Sequence, residues 1–96
     1  MKATKKSMVK EIFFDATQGK RTDANFVDGM YLLDVIPAYL PKDYIEWVYA
    51  RYKDARIDAR HALSSLVDGA LENNIGTRGR NERYYAIRNS YKRIFA

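Results

Sequence analysis

The chain has 96 residues, 47% of them apolar and 30% charged, with no cysteine and a formal net charge of +5. That is one domain's worth of sequence, enough for a single modest core, and its mixed composition belongs to a folded chain rather than a disordered one. The missing cysteines exclude disulfides, thiolate zinc sites and thiol nucleophiles and fit a reducing, cytoplasmic setting.

At the N-terminus, lysines 2, 5, 6 and 10 form a basic arm, expected to be flexible over residues 1–6. The apolar patches that follow are cut by Lys10, Glu11 and Asp15 and do not make a secretion signal. No uncharged run approaches the roughly 20 residues of a bilayer span, so no membrane partner is expected. Met8, Val9, Ile12, Phe13 and Ala16 lie on one face of a helix over 7–17, with a stop at Gly19.

Thr22 or Asp23 is placed to cap a second helix over 23–36. Its apolar face would comprise Phe26, Val27, Met30, Leu32, Leu33 and Ile36, with Gly29 admitting a close helix contact. Pro37 would clash with the preceding turn, which predicts an end or kink at 34–36. Pro41 then stands where a third helix can begin.

Beyond it, Ile45, Val48, Tyr52, Ala55, Ala59, Ala62, Leu66 and Gly69 recur at alternating spacings of three and four. That heptad-like seam predicts one long central helix over 42–73, or two helices broken near 57–60, and suits either an intramolecular helical hairpin or a homodimer face. Asn74 or Gly76 would end it. A last helix follows a loop at 77–80, capped by Asn81, with Tyr84, Ile87, Tyr91 and Ile94 as its core seam. No segment alternates with the period of a strand. The fold class is therefore all-α: a compact single-domain bundle over 1–96 of four or five helices, dimerising along the long one.

Chemistry is sparsely provided. His61 is the sole histidine, and the serines beside it on the same helix make no nucleophile-base pair, so no enzymatic role, cofactor or small-molecule substrate is expected. Asp54, Asp58 and His61 would share a helix face, but a carboxylate and imidazole stripe on one helix needs a second helix to hold a metal. The sequence GTRG at 76–79 lacks the lysine of a phosphate loop. A helix-turn-helix bending at Gly69 would put Arg78 where an apolar residue belongs.

The charge itself is polarised. Residues 1–75 are neutral in sum, and the +5 resides in 76–96, the basic loop and C-terminal helix. Arg78, Arg80 and Arg83 stand where a loop enters a helix N-terminus, a favourable place for phosphate, with Arg88 and Lys92 extending the same polar face. The first expectation is accordingly a small non-enzymatic regulator that contacts DNA or RNA through these five residues. The alternative is a compact inhibitor or adaptor of the kind phages and mobile elements encode, blocking a host protein or nucleoprotein complex. Its contact surface would feature Tyr44, Trp47 and Tyr49, with Arg51 lying over Trp47 one turn on.

Overall fold

The computed structural model describes residues 3–18, 23–74 and 82–95. They form five helices: α1 (Lys5–Ala16), α2 (Asp23–Tyr39), α3 (Lys42–Lys53), α4 (Ala59–Glu72) and α5 (Glu82–Phe95), with no strand among them. Gly19, Thr22, Gly76 and Asn81, expected as helix boundaries, lie outside the described residues.

α1 starts earlier than its apolar pattern. Thr4 caps it reciprocally with Ser7: each side-chain oxygen accepts a hydrogen bond from the other's backbone N–H, at 3.0 and 2.8 Å. Lys5 and Lys6 are thus helical rather than part of a flexible arm, and the Lys5 ammonium donates to the Leu40 carbonyl at 3.0 Å. Met8, Val9, Ile12 and Phe13 are buried, and α1 packs against α2, α3 and α4.

α2 does not stop before Pro37 but runs through it to Tyr39. The proline is buried in the final turn and, having no N–H, removes only the intrahelical bond to the Leu33 carbonyl. The carbonyls at the helix end lack intrahelical donors in any case, and side chains serve them: the Asn73 amide donates to the Tyr39 carbonyl at 2.6 Å, beside the Lys5 bond to Leu40. Lys6 bonding Asp34 and Phe13 lying on Gly29 set α1 and α2 as an antiparallel hairpin. A Cβ on Gly29 would fall 2.7 Å from the Phe13 ring, so glycine is what lets that ring rest on the α2 backbone.

The long central helix is in fact two. α3 ends at Lys53 and α4 begins at Ala59 after an Asp58 cap, whose carboxylate accepts the His61 backbone N–H at 2.8 Å. The break is a Schellman turn: the Arg56 N–H reaches the Arg51 carbonyl at 2.9 Å and the Ala55 N–H reaches Tyr52 at 3.1 Å. Ala55 takes the left-handed conformation there, with φ 59°. No glycine announces that turn. The break makes the seam that of an intramolecular hairpin, in which Ile45, Val48, Ala62 and Leu66 are fully buried. Those side chains are taken up within the fold.

α3 and α4 form a second antiparallel hairpin, with the Tyr44 hydroxyl donating to the Ser65 carbonyl at 3.1 Å and the ring close to Gly69. α4 runs through Gly69 without a turn there, unlike a helix-turn-helix. α5 completes the bundle on α2 and α4. Arg83 meets Tyr39 and Arg93 meets Asp28, so α5 lies antiparallel to α2. The core draws on every helix and centres on Ile12, Leu32, Ile36, Ile45, Leu63, Leu66 and Ile87. No helix among the described residues is long and apolar enough to cross a membrane.

Candidate functional site

The four aromatic and arginine positions expected to form a protein interface divide between two sides of α3. Tyr44, Trp47 and Arg51 follow one stripe, at spacings of three and four. The indole of Trp47 is 57% exposed; its ring centre lies 6.1 Å from that of Tyr44, and the Arg51 guanidinium lies over it at 4.9 Å. Tyr44 is half-buried, and its hydroxyl is tied to α4. Burial pushes the Tyr44 phenol up from its ordinary pKa, with the carboxylates of Asp68 and Glu72 adding to the effect. A fixed Tyr44 and a stacked Arg51 thus frame an aromatic side chain that itself faces solvent.

Tyr49 belongs elsewhere. Its hydroxyl donates to Glu11 of α1 at 2.7 Å, and the same carboxylate accepts from the Lys53 ammonium at 2.8 Å. The hydrogen bond to Glu11 raises the Tyr49 phenol, while Lys53 and Tyr49 together lower the Glu11 carboxyl. One turn on, the Tyr52 hydroxyl donates to Asp15 at 2.8 Å. Tyr49 is therefore an α1–α3 tie, not part of the Trp47 surface.

The basic positions also separate. Arg78 and Arg80 lie outside the described residues. Arg83 stacks over the Tyr39 ring at 4.9 Å, joining the start of α5 to the end of α2. Arg88 and Lys92 share a stripe of α5 with Tyr85, which is 52% exposed, and neither cation has an ion-pair partner among the described residues. Arg60, from α4, stacks on Phe95 at 4.0 Å near the end of the same stripe. Arg93 points the other way, into the Asp28 carboxylate. Lys53 serves Glu11 instead, and Arg60 serves Phe95.

Asp54, Asp58 and His61 do not share a helix face, because the α3–α4 break falls between them. Asp58 caps α4, and the hydrogen bond from the His61 backbone lowers its carboxyl, with the His61 ring 2.9 Å away. Among the described residues no three potential metal ligands lie together.

Comparison with protein-family models, curated proteins and solved structures finds no match to this chain. Function must therefore be argued from its surfaces.

Sequence reading missed one of these. Phe26, Val27 and Met30, assigned to the core face of α2, are 67%, 69% and 48% exposed. α2 is apolar over more of its circumference than α1, α4 and α5 can cover. Beside these residues an open cleft of about 250 Å³ lies between α1 and α2, floored by Phe13 and Leu33 and edged by Lys6 and Lys10. The signal was present in the sequence: α2 has the highest mean hydropathy of the five helices and little amphipathic bias, the pattern of a helix apolar on several sides.

Proposed function

We propose that this chain is a small non-catalytic protein-binding module, an inhibitor or adaptor, that grips a partner protein through the Trp47 face of α3. The observation that carries the reading is the exposed Trp47 indole held between Tyr44 and Arg51. Trp, Tyr and Arg are the side chains most enriched at interface hot spots. A frame already fixed by the Tyr44 bond to α4 lowers the ordering cost of binding. Burying a large aromatic ring contributes on the order of 25 cal/mol per Å² of apolar area, and the Arg51 contact strengthens as water leaves it.

The test is affinity capture from nuclease-treated host lysate with wild type and with Trp47→Ala. A single stoichiometric protein held by wild type and lost by the variant supports the reading. A partner that disappears with nuclease, or that Trp47→Ala retains equally, overturns it.

A second reading, DNA or RNA contact, is favoured by one feature: Arg88 and Lys92, four apart on α5 and without ion-pair partners among the described residues, next to exposed Tyr85. Guanidinium and ammonium groups neutralise phosphates, and an exposed tyrosine stacks on an unpaired base. Binding to mixed DNA and RNA that falls steeply with salt, and that weakens on reversing both charges, would support this reading against the first.

A further inference from the structure

The groove between α1 and α2 is a second apolar surface, separate from Trp47. Its floor is Phe13, packed on Gly29, with Leu33; Met30 and Phe26 form one wall. We infer that this groove receives an acidic amphipathic helix of a partner protein, whose apolar anchors enter the cleft while its carboxylates lie along Lys6 and Lys10.

Size argues for a macromolecule. About 250 Å³ is below the usual range for small-molecule pockets, roughly 300–1,000 Å³, but it is room enough for the anchor side chains of a docked helix. The apolar surface also continues past the cleft, from Phe26 onto Val27. A small ligand seated in the cleft would leave Val27 in water, whereas a helix lying along α2 covers it. Residues 26, 27 and 30 stand at i, i+1 and i+4, forming a ridge of the kind a second helix packs against. Met30 adds an adaptable contact.

Charge decides which helix. Lys6 and Lys10 are one turn apart on the α1 edge; Lys6 is paired with Asp34 across the groove at 3.4 Å, so Lys10, with no ion-pair partner among the described residues, sets the preference for a partner's carboxylates. Both lysines are exposed, and the Lys10 ammonium lies over the Phe14 ring at 5.5 Å. A second copy of this chain is the wrong occupant: it would bring the same lysine edge and a net charge of +5.

The experiment uses the full chain, labelled with nitrogen-15, titrated with a synthetic helical peptide bearing Leu at i, i+3, i+4 and i+7 and Glu on both flanks. A matched peptide with Lys in place of Glu is the control. Saturable shifts at the amides of Phe13, Gly29 and Met30 are expected with the acidic peptide, with affinity about tenfold weaker or worse for the basic one. Lys10→Glu should reverse that preference and Met30→Glu should remove binding by either peptide. Both replacements are at exposed positions, and unchanged thermal melts will show that the fold persists.

No shift up to about 1 mM peptide, the weak limit of specific recognition, overturns the proposal. So does equal affinity for the two peptides, or shifts confined to Arg88 and Lys92, which would mean only non-specific attraction to α5. Trp47→Ala should leave peptide binding unchanged, so the groove and the Trp47 surface stand or fall separately.

Discussion

Arg93 and Asp28, 65 residues apart, meet as a two-pronged pair: the guanidinium Nε donates to one carboxylate oxygen at 3.0 Å and Nη2 to the other at 2.8 Å. Asp28 is only 7% exposed, so the pair joins α5 to α2 at a site where a lone carboxylate would be unfavourable. Hydrogen bonding from Arg93 is the main reason the Asp28 carboxyl is held below its usual range. A carboxyl lowered in the folded state contributes stability that is present above its unfolded pKa and lost as pH falls toward the folded value.

Asp28→Asn is therefore expected to destabilise the chain at neutral pH by about 1–2 kcal/mol, below the range for deeply buried pairs because the Arg93 side chain is largely in water. The variant should also lose less further stability between pH 5 and pH 2 than wild type. Urea unfolding across that window measures both. A parallel acid limb in the two proteins would mean that the pair is not linked to folding.

The turn at Ala55 offers the opposite kind of change. An L-residue with a Cβ at φ 59° is held in a conformation that costs about 1–2 kcal/mol relative to the right-handed one. Ala55 is exposed and its N–H bonds Tyr52, so glycine can replace it without losing a contact. Ala55→Gly should raise stability by about 0.5–1 kcal/mol, net of the greater entropy glycine loses on folding, and shift the melting temperature upward by a few degrees. A melting temperature that falls would show the left-handed turn to be unstrained.

That same turn separates what could be read in the sequence from what could not. The period-three-and-four seam correctly marked Ile45, Val48, Ala59, Ala62 and Leu66 as buried, because a helical hairpin keeps much of the phase of a continuous helix. It left open whether the helix was continuous or broken near 57–60, and the turn at Ala55 uses alanine where glycine is the usual signal. Asp58, the cap of α4, had been assigned to the helix face. Of the Tyr84, Ile87, Tyr91 and Ile94 seam of α5, Ile87 and Ile94 are buried in the core and Tyr91 packs against it. The candidate surfaces were harder to foresee. Trp47 beside Arg51 follows from helical spacing, but whether an apolar residue faces a neighbour or solvent depends on how many helices are there to cover it. That is why Phe26 and Val27 were placed inside. The Glu11 bonds to Tyr49 and Lys53 join residues about forty apart and carry no local pattern at all.

Alkaline pH should expose the α1–α3 ties. The Tyr52 phenol is pushed up to about 12 from 10.0, first by burial and then by its hydrogen bond to Asp15. Tyr44 and Tyr49 are raised as well, Tyr44 by burial and Tyr49 by the Glu11 bond. A tyrosine whose folded pKa is raised contributes stability that is full below its unfolded value and lost as pH rises toward the folded one. For Tyr52 the window runs from about pH 10 to about pH 12. Wild type should lose more stability across it than Tyr52→Phe, and absorbance at the tyrosinate band should show part of the eight tyrosines ionising late. If Tyr52→Phe loses stability over the same window by the same amount, the Asp15 bond and burial of Tyr52 do not act on folding.

The aromatic frame on α3 predicts opposite outcomes for two neighbours in it. Trp47 projects into solvent, so Trp47→Ala removes mainly the Arg51 stacking and the edge of Tyr44, changing stability by about 0.5 kcal/mol or less, as is usual for surface positions. Tyr44 has the reverse balance: its hydroxyl reaches the Ser65 carbonyl, and its ring lies 3.1 Å from where a Gly69 Cβ would be. Tyr44→Ala removes both the ring from the α3–α4 contact and the bond, and should cost about 3 kcal/mol or more. Tyr44→Phe keeps the ring and should cost about 1 kcal/mol. Chemical denaturation of the three variants will rank them. Should Trp47→Ala prove as damaging as Tyr44→Ala, Trp47 is a packing residue rather than a free contact surface, and the proposed protein-binding role of α3 loses its support.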